Sequence, residues 1–450
     1  MEFKDKSCTP PGSSDRISSL SDELLANILT FLPTLSAVRT SILSRRWRHL
    51  FTLTRNLSFN DGKYFDMASL TQCEERKMSF ERFVYGVLAL HRMSHIHKFS
   101  LILDDRSLKY DCSHLLAWIT AAVQKGVQHL RLRIWNHPNA LPSCILNCQT
   151  LTVLRIYTSG YDLSVPGVVC LPNLRTLHLR YIRFLDGDSV KRFFVACSQL
   201  NELALHYCQL TTDHVCVSAT KLQKLDLCCC SGHVVIDAPN LAILSHVSTD
   251  FVGLDVKHLR SLLYVVVWHP IASMPPQVQA LCDIVRGAVN ARELILNQTN
   301  ELLSLVKFLT VIGDNPTPTY SKLERLVLVS RKPHFDKSSP QLETVVFEEV
   351  SIYLDCQGLI QKNDTEHELH SDVALAPFSS NVRTITVYEF GGRKLELLLL
   401  KYLLENAGVL QKLILYKDDT MEMQRELQVS KELLLLPKAS TYCTIELEEL

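Results

Sequence analysis

The sequence is poor in glycine, carries no net charge and lacks the short motifs that bind nucleotides. Glycine makes up only 15 of the 450 residues, and neither G-x-G-x-x-G nor G-x-x-x-x-G-K-[ST] occurs. Both phosphate-binding loops depend on closely spaced glycines. Lysine plus arginine and aspartate plus glutamate number 47 each, so the formal net charge is zero. This balance excludes a globally basic nucleic-acid-binding protein, although it leaves room for a local basic patch.

Long hydrophobic runs are also missing. The longest, from Leu262 to Trp268, falls far short of the ~18 residues that a membrane span needs, and the polar N-terminus shows no signal-peptide core. The 15 cysteines form no C-x-x-C pair, which argues against a zinc ribbon or a thioredoxin-like site. We therefore expect a soluble protein of the nucleus and/or cytoplasm, with no membrane contact and with free thiols in a reducing compartment.

Catalytic motifs are absent as well. The sequence contains neither H-E-x-x-H nor G-x-S-x-G. Its closest histidine pairs are His95-x-His97 and His367-x-x-His370, and no further ligand accompanies either pair, whereas a metal site needs three or four convergent ligands. We interpret both pairs as solvated loop residues. The sequence thus predicts a protein that is not an enzyme and that uses no metal or other cofactor.

Leucine at regular spacing is what the chain has in abundance. Segments of the form L-x-x-L-x-L begin at Leu151, Leu174, Leu200 and Leu222, so their starts are 23, 26 and 22 residues apart. This spacing lies within the ~20–29 residues of leucine-rich repeats. In a strand, the two apolar residues of L-x-L point to the same face, and the preceding leucine closes the bend into the strand. Each unit leaves an apolar face that only a stacked neighbour can cover, which predicts a repeat array.

Two cysteines extend this repeat pattern. Cys208 and Cys230 each stand three residues after the last strand leucine, at the position that leucine-rich repeats fill with Asn or Cys. We expect both side chains to turn inward and to meet backbone groups. This is a structural role, and it weakens any interpretation of these cysteines as metal ligands.

The flanking segments differ in composition. Residues 1–14 are mostly polar, with prolines and serines, and are typical of a flexible tail. Residues 355–376 are polar and indicate a linker. After this linker we predict a strand, a helix over about 395–406, another strand, and a last strand at 444–447.

Residues 15–55 form a helical block that is too small to bury all of its own apolar side chains. Ser21 is placed to cap a first helix, whose apolar stripe covers more than half of its circumference and which Pro33 ends. A second helix over about 35–43 and a third from near Arg45 complete the block. Domains this small rarely hold together without outside support, so part of the stripe should face another chain. The alternative is that the block docks onto the protein's own repeat array.

In detail, the block resembles an F-box of the plant type, through the run Val38-Arg-Thr-Ser-Ile-Leu-Ser-Arg-Arg-Trp47-Arg-His-Leu. The remaining chain resembles the F-box, leucine-rich-repeat and FBD family, and residues 395–415 resemble the FBD signature. The fold class that this implies is α/β: a small N-terminal three-helix F-box, followed by a leucine-rich-repeat solenoid of strands and helices with a C-terminal FBD cap. The corresponding domains are a flexible tail (1–14), the F-box (15–55), the repeat array (56–354), a polar linker (355–376) and the FBD domain (377–450).

The resemblance implies a non-catalytic substrate receptor of an SCF-type E3 ubiquitin ligase. Its F-box would dock on a Skp-family adaptor and through it on a cullin-RING core, while the repeat array would bind an unknown target protein. By motif position, the residues expected to contact the adaptor are Leu20, Leu24, Ile28, Leu32, Val38, Leu43 and Trp47. The family usually has Leu-Pro where this chain has Leu20-Ser21. Because proline presets the backbone at a helix start, we expect Ser21 to weaken adaptor binding without abolishing it.

Two other functions stay open at this point. Because Ser21 replaces the usual proline, one alternative is an interaction scaffold that binds partners through the repeat array and no longer acts in a ubiquitin ligase. A small-molecule receptor would need a pocket in the array, and family members with that role have longer and more regular repeats. The basic run at residues 45–49 could suggest nucleic acid, but at zero net charge a solvated helix edge beside Trp47 is the better interpretation.

Overall fold

The structure, a computed structural model, describes most of the chain. The described residues are 17, 19–64, 73–104, 108–135, 141–210, 215–232, 234–247, 254–269, 284, 287–298, 325–329, 351–355, 384–392, 394–406, 408–417 and 421–449. The predicted tail, residues 356–376 of the predicted linker and the pair His367-x-x-His370 lie outside them. No helix among the described residues is long and apolar enough to cross a membrane. The chain divides into two compact units, Met1–Tyr161 and Asp162–Leu450.

The first unit begins with short helical segments. In chain order they are α1 (Asp22–Leu29), α2 (Thr34–Arg39) and the 3-10 helices Thr40–Ile42 and Trp47–Leu53. The second predicted helix is therefore α-helical only to Arg39 and continues as a 3-10 turn. The third begins at Trp47 and is a 3-10 helix throughout, a tighter form that short segments commonly take.

Parallel strands alternate with helices in the rest of the first unit. The elements are β1 (Asn56–Asn60), α3 (Asp61–Tyr64), α4 (Cys73–Leu90), β2 (Lys98–Leu103), α5 (Cys112–Gln124), β3 (His129–Ile134), a 3-10 helix (Ser143–Asn147) and β4 (Val153–Leu163). The strands pair in parallel in the order β1-β2-β3-β4. Strand β1 does not show in the leucine pattern, because Thr54 stands where the repeat would have its leading leucine before Leu57 and Phe59.

The second unit is built mainly from short strands. Its elements are β5 (Thr176–Phe184), α6 (Gly187–Val195), β6 (Glu202–His206), β7 (Gln209–Leu210), β8 (Val215–Ser218), β9 (Lys224–Cys228), β10 (Val234–Asp237), β11 (Ile243–Val247), β12 (Leu254–Lys257), a 3-10 helix (Leu259–Ser261), β13 (Tyr264–His269), β14 (Glu293–Gln298), β15 (Arg325–Val329), β16 (Ser351–Asp355), β17 (Thr384–Phe390), α7 (Lys394–Asn406), β18 (Lys412–Lys417), α8 (Met423–Leu434) and β19 (Thr444–Glu448). The main sheet of this unit runs β5-β6-β9-β11-β13-β14-β15-β16-β17-β18-β19, and its strands are parallel.

The repeat prediction is confirmed in this sheet. The strand leucines of the pattern are buried; they are Leu177, Leu179, Leu203, Leu205, Leu225 and Leu227. Of the residues between them, His178 and Asp226 are half-buried, whereas the small Ala204 is buried. The leading leucines Leu174, Leu200 and Leu222 are buried as well. Stacked repeats therefore share one apolar interior, and the side chains between the leucines form the outer face of the sheet.

A second, smaller sheet lies in the same repeats and was not predicted. Strands β8, β10 and β12 pair in parallel in the order β12-β10-β8. Each is four residues long, and each follows a main-sheet strand within one repeat. Runs this short carry too few apolar positions for the period of two to stand out in the sequence.

The structural role predicted for the two repeat cysteines is confirmed. The thiol of Cys208 donates to the carbonyl oxygens of Leu179 and His206, both at 3.5 Å. The thiol of Cys230 donates to the carbonyl oxygen of Leu205 at 3.1 Å. Both cysteines are buried. The hydrogen bond with Cys208 raises the pKa of the Cys230 thiol, and burial raises it further.

The C-terminal part follows the predicted order with one addition. Helix α7 and strand β19 are confirmed close to their predicted positions. Helix α8 was not predicted: only Val429 and Leu433 are buried in it, while Leu427 and Leu434 are exposed. Such a mixed surface blurs the apolar stripe from which a helix is recognised in the sequence.

Candidate functional site

A set of large apolar side chains is exposed between positions 24 and 43 of the first unit. Its members, with their exposed fractions, are Leu24 (51%), Ile28 (46%), Phe31 (89%), Leu32 (40%), Ile42 (88%) and Leu43 (65%). We call these six residues the apolar patch. Soluble proteins rarely leave so many large apolar side chains of one short segment in water unless another molecule covers them.

The opposite side of α1 forms the internal core of this region. Leu25 and Leu29 are buried with Ala37, Leu50 and Phe51. Because residues four apart lie on the same side of a helix, the pair Leu24 and Ile28 faces outward while the pair Leu25 and Leu29 faces inward. One helix thus serves both the core and the exposed surface.

The seven residues expected to contact an adaptor fall into two groups. Four are exposed members of the apolar patch: Leu24, Ile28, Leu32 and Leu43. The other three, Leu20, Val38 and Trp47, are partly buried and pack against the internal core. Phe31 and Ile42 were not among the seven, although they are the most exposed members of the patch. The one sequence signal for them is that residues 15–55 contain more apolar side chains than so small a block can bury.

The start of α1 is held by its cap and by one arginine. The Ser21 hydroxyl accepts a hydrogen bond from the backbone N–H of Leu24 at 3.4 Å. Arg46 forms an ion pair with Asp22 at 2.7 Å and donates to the carbonyl oxygen of Leu20. The φ angle of Ser21 is −68°, which is the angle that proline imposes. Ser21 therefore has the φ angle that the usual proline would have at this position. Weaker adaptor binding because of Ser21 stays a prediction.

Hydrogen bonds attach the helical region to the first strands. The Thr34 hydroxyl accepts from the backbone N–H of Ser58 in β1 at 2.6 Å. The carbonyl oxygen of Thr52 accepts from the N–H of Arg92 at 3.0 Å. Thr34 and Thr52 are buried. The helices consequently cover the outer edge of the sheet at β1, where a bare strand would expose unpaired backbone groups.

His91 is the titratable group at this junction. Its Nε2 donates to the carbonyl oxygen of Thr54 at 2.8 Å, and its Nδ1 lies 3.1 Å from Nζ of Lys125. Burial lowers the pKa of His91; the bond to Thr54 opposes this shift, and the charge of Lys125 adds to it. The ring is therefore neutral in the folded protein near pH 7.

We expect acid to weaken this junction. The folded pKa of His91 lies below the ordinary value of about 6.5, so below that pH the unfolded chain binds a proton that the folded chain does not. Stability must then fall as the pH drops below about 6.5 towards the folded pKa. Thermal unfolding at pH 7.5 and 5.5 should show this loss, and His91→Gln, whose amide can still donate to Thr54, should lose less. An equal loss in both proteins would contradict the assignment.

The outer face of the second unit's sheet carries acidic side chains that pair with neighbouring lysine and histidine side chains. Glu202 lies 3.2 Å from His178 and 3.0 Å from Lys224, and His206 lies 3.0 Å from Asp226. The hydrogen bond from His178, despite burial, lowers the pKa of Glu202 to about 2, with Lys224 acting in the same direction. These carboxylates are therefore engaged by neighbouring side chains of the same sheet.

The described residues contain no group of three or more His, Cys, Asp or Glu side chains arranged to hold a metal ion. His97, one of the histidines of the first predicted pair, shares a hydrogen bond with Oε1 of Gln128 at 2.8 Å. Its ring also packs against that of His129. The His97 side chain therefore contacts neighbouring side chains of the protein, Gln128 and His129.

Comparison with known proteins gives three matches along the chain. The F-box domain matches residues 17–58, the repeats described as FBD-associated F-box protein At5g56370, LRR repeats, match residues 115–261, and FBD matches residues 377–415. These three segments include the apolar patch, the confirmed repeats and the helix α7.

Relatives from Arabidopsis thaliana match most of the chain. The chain is 30% identical to the F-box protein At3g44060, over 96% of this chain and 99% of that protein. It is 28% identical to the FBD-associated F-box protein At4g10400, over 96% and 99% respectively. It is 30% identical to the F-box/LRR-repeat protein At4g14103, over 78% and 93%. The fold and these matches define an F-box protein with leucine-rich repeats. More closely, the chain belongs to the plant F-box/leucine-rich-repeat family that carries an FBD domain.

Proposed function

We propose that this protein is the substrate-recognition subunit of an SCF-type E3 ubiquitin ligase. The F-box binds a Skp-family adaptor and through it a cullin-RING core, and the repeat array binds the protein to be ubiquitinated. The subunit itself makes and breaks no bonds. It raises the effective concentration of its target near the charged ubiquitin-conjugating enzyme, which is the whole of its contribution to the rate.

The observation that carries this proposal is the exposure of the apolar patch. Leu24 and Ile28 stand outward on the same helix whose Leu25 and Leu29 form the local core. A helix that packs one apolar side in its own core and exposes another apolar side is suited to bind a hydrophobic groove of another protein. The patch and strands β1 to β3 belong to one compact unit, so a partner bound at the patch is held next to these first strands.

Co-expression with a plant Skp-family adaptor tests the proposal. We expect the full chain and the adaptor to elute together as a 1:1 complex in size-exclusion chromatography with light scattering. Failure of the wild-type chain to form this complex would reject the ligase function and favour the interaction scaffold.

The scaffold function makes a separate prediction about the apolar patch. If the repeat array alone does the work, loss of adaptor binding should leave the array's partner interactions and the biological role unchanged. Deleting residues 1–55 is a poor test, because it removes the Thr34 hydroxyl and the Thr52 carbonyl that bond to the repeat region. Full-length variants of the patch avoid this problem, since they leave those bonds in place.

A further inference from the structure

The strand β19 leaves one edge of the main sheet open. It pairs with β18, and no described strand pairs with its other edge. The backbone N–H of Thr444 donates to the carbonyl oxygen of Gln411, on the β18 side. Since successive backbone N–H groups of a strand point to opposite sides in the plane of the sheet, those of Ile445 and Leu447 point to the open edge. Such an edge is a template for pairing with another chain.

The apolar interior of the array is also partly uncovered at β19. Leu413 and Leu415 of β18 are fully buried, whereas their register partners Ile445 and Leu447 are only half-buried. Each repeat has an apolar face that a stacked neighbour covers. At β19 this face is accessible to a segment of another molecule.

Helix α8 shows the same arrangement. Val429 lies directly over Gly392, just after β17, and Arg425 donates to the carbonyl oxygen of Gly392. The buried side of α8 therefore faces the preceding repeat. Residues two apart on a helix lie on nearly opposite sides, so Leu427 turns away from Val429. On this side α8 carries an exposed apolar stripe: Met423 (85% exposed), Leu427 (62%) and Leu434 (77%).

The open edge is acidic on the outer face of the sheet. The charged side chains that alternate with the inward residues of β18 and β19 on this face are Lys412, Glu446 and Glu448. Lys412 pairs with Glu446 at 3.3 Å. Glu448 is exposed, and no cation of the described residues forms an ion pair with it. The edge strand thus keeps a negative charge that its own sheet does not neutralise.

Two further lysines near β19 leave Glu448 unpaired. Lys417 lies 3.1 Å from Glu426 and 2.7 Å from Glu449, so two carboxylates share it. Lys438 lies near the other end of the strand, where it donates to the carbonyl oxygen of Cys443 at 3.2 Å. Both lysines are engaged by other groups, and the acidic character of the edge remains.

We propose that the open edge of β19 binds an extended segment of a partner protein in which basic residues alternate with apolar ones. The segment adds a strand to the sheet, a common mode of peptide recognition, and bonds to the outward backbone groups of Ile445 and Leu447. Because a strand alternates its side chains between two faces, its apolar residues cover these two side chains on the inner face. Its lysines or arginines then meet Glu446 and Glu448 on the outer face, where opposite charges on neighbouring strands attract.

A second copy of this chain is a poor occupant of the same edge. Pairing of β19 with β19 of another copy would bring the carboxylates of Glu446 and Glu448 from both copies together on the outer face. Like charges on neighbouring strands are destabilising, and charged edge residues are one means by which proteins prevent edge-to-edge association. The same carboxylates that repel a second copy attract a basic segment.

Fluorescence anisotropy with the full chain and labelled peptide pools tests this inference. The peptides have about eight residues, enough for one strand. In the first pool lysine or arginine alternates with valine, isoleucine or leucine. In the second pool aspartate or glutamate replaces the basic residues, and the third keeps the composition of the first but groups the basic residues at one end. We expect the first pool to bind at least about 10-fold more tightly than either of the others, because only it matches both faces and the charge of the edge, and its affinity should fall as salt rises.

Proline at two neighbouring positions separates docking from folding. Leu447→Pro removes an N–H that points to the open edge, whereas Glu446→Pro removes one that points to β18. Proline is tolerated on an edge strand where its missing N–H would face solvent. Leu447→Pro should therefore keep a melting temperature near that of the wild type and lose binding of the first pool, while the matched control Glu446→Pro should unfold at a lower temperature. The double variant Glu446→Gln with Glu448→Gln should stay folded and lose the preference for the first pool over the second.

Three results would overturn the inference. One is equal binding of the pools, or binding of none, by the wild-type chain. Another is unchanged binding of the first pool by Leu447→Pro or by the double variant. The third is a dimer of the full chain in light scattering that Leu447→Pro dissociates, since the edge would then belong to a second copy. This edge lies in the second unit and the apolar patch in the first, so adaptor binding by Leu447→Pro and by the double variant should be unchanged, and the proposed function is tested separately.

Discussion

Replacing Leu24 and Ile28 together by aspartate is expected to abolish the complex with the Skp-family adaptor while the protein remains folded. Both side chains are about half exposed in the free chain, so the change introduces no buried charge into the protein's own core. In an interface, loss of a central hot-spot side chain costs about 2 kcal/mol or more, and we expect Leu24 and Ile28 to be such residues. Two such losses amount to about 4 kcal/mol, roughly a 10³-fold weaker complex. Isothermal titration with the purified adaptor, beside thermal unfolding of each protein, measures both quantities.

The same helix provides the matched control for this prediction. Leu25→Asp with Leu29→Asp introduces the same two aspartates one position further along the helix, but these side chains are 0% and 1% exposed. Burying two unpaired carboxylates should unfold the helical region, so this variant should lose thermal stability as well as adaptor binding. Full retention of the complex by the Leu24 and Ile28 variant would show that the adaptor binds elsewhere.

Replacing Trp118 by alanine is expected to destabilise the first unit by about 3–5 kcal/mol, the usual cost of removing a fully buried large aromatic side chain. Trp118 is fully buried in α5. Its ring packs edge-on against Tyr85 at 5.6 Å and Phe80 at 6.3 Å between ring centroids. The cavity left by alanine cannot be filled by these rings without loss of their own contacts.

Thermal unfolding followed by circular dichroism checks this prediction. For a unit of this size, each 1 kcal/mol lowers the melting temperature by about 2–4 °C, so a shift of about 10 °C is expected. Leu90→Ala at the end of α4 is the control, because Leu90 is exposed and its loss should cost less than about 0.5 kcal/mol. Similar shifts in both variants would contradict the assignment of Trp118 to the core.

The repeat strands could be predicted from the sequence because their burial is a local property. A strand alternates its side chains between two faces, so the leucines of L-x-L identify the inner face wherever they occur. The inward cysteines follow from the same count, since Cys208 and Cys230 keep a constant distance from those leucines. The structure places all of these residues as the spacing predicts.

The division of the F-box residues could not be predicted in the same way. The sequence shows a stripe too wide for one core, but both Leu24 and Leu25 belong to that stripe. Which of them is covered depends on Leu50 and Phe51, which approach from a separate helical segment. The resemblance assigns Trp47 and Leu24 alike to adaptor contacts; in the structure Trp47 is partly buried against the core, and Phe31, which the resemblance does not assign, is exposed. The adaptor contacts themselves stay a prediction.

Local spacing alone thus determined the repeats, their inward residues and the existence of an apolar helical block, because each depends on the periodicity of a single strand or helix. Only the tertiary structure decided which side of α1 is free, that the helices cover the edge of β1, and that β19 leaves an open edge beside Glu446 and Glu448. These features depend on register and contacts between segments far apart in the chain, and no local pattern of residues encodes them.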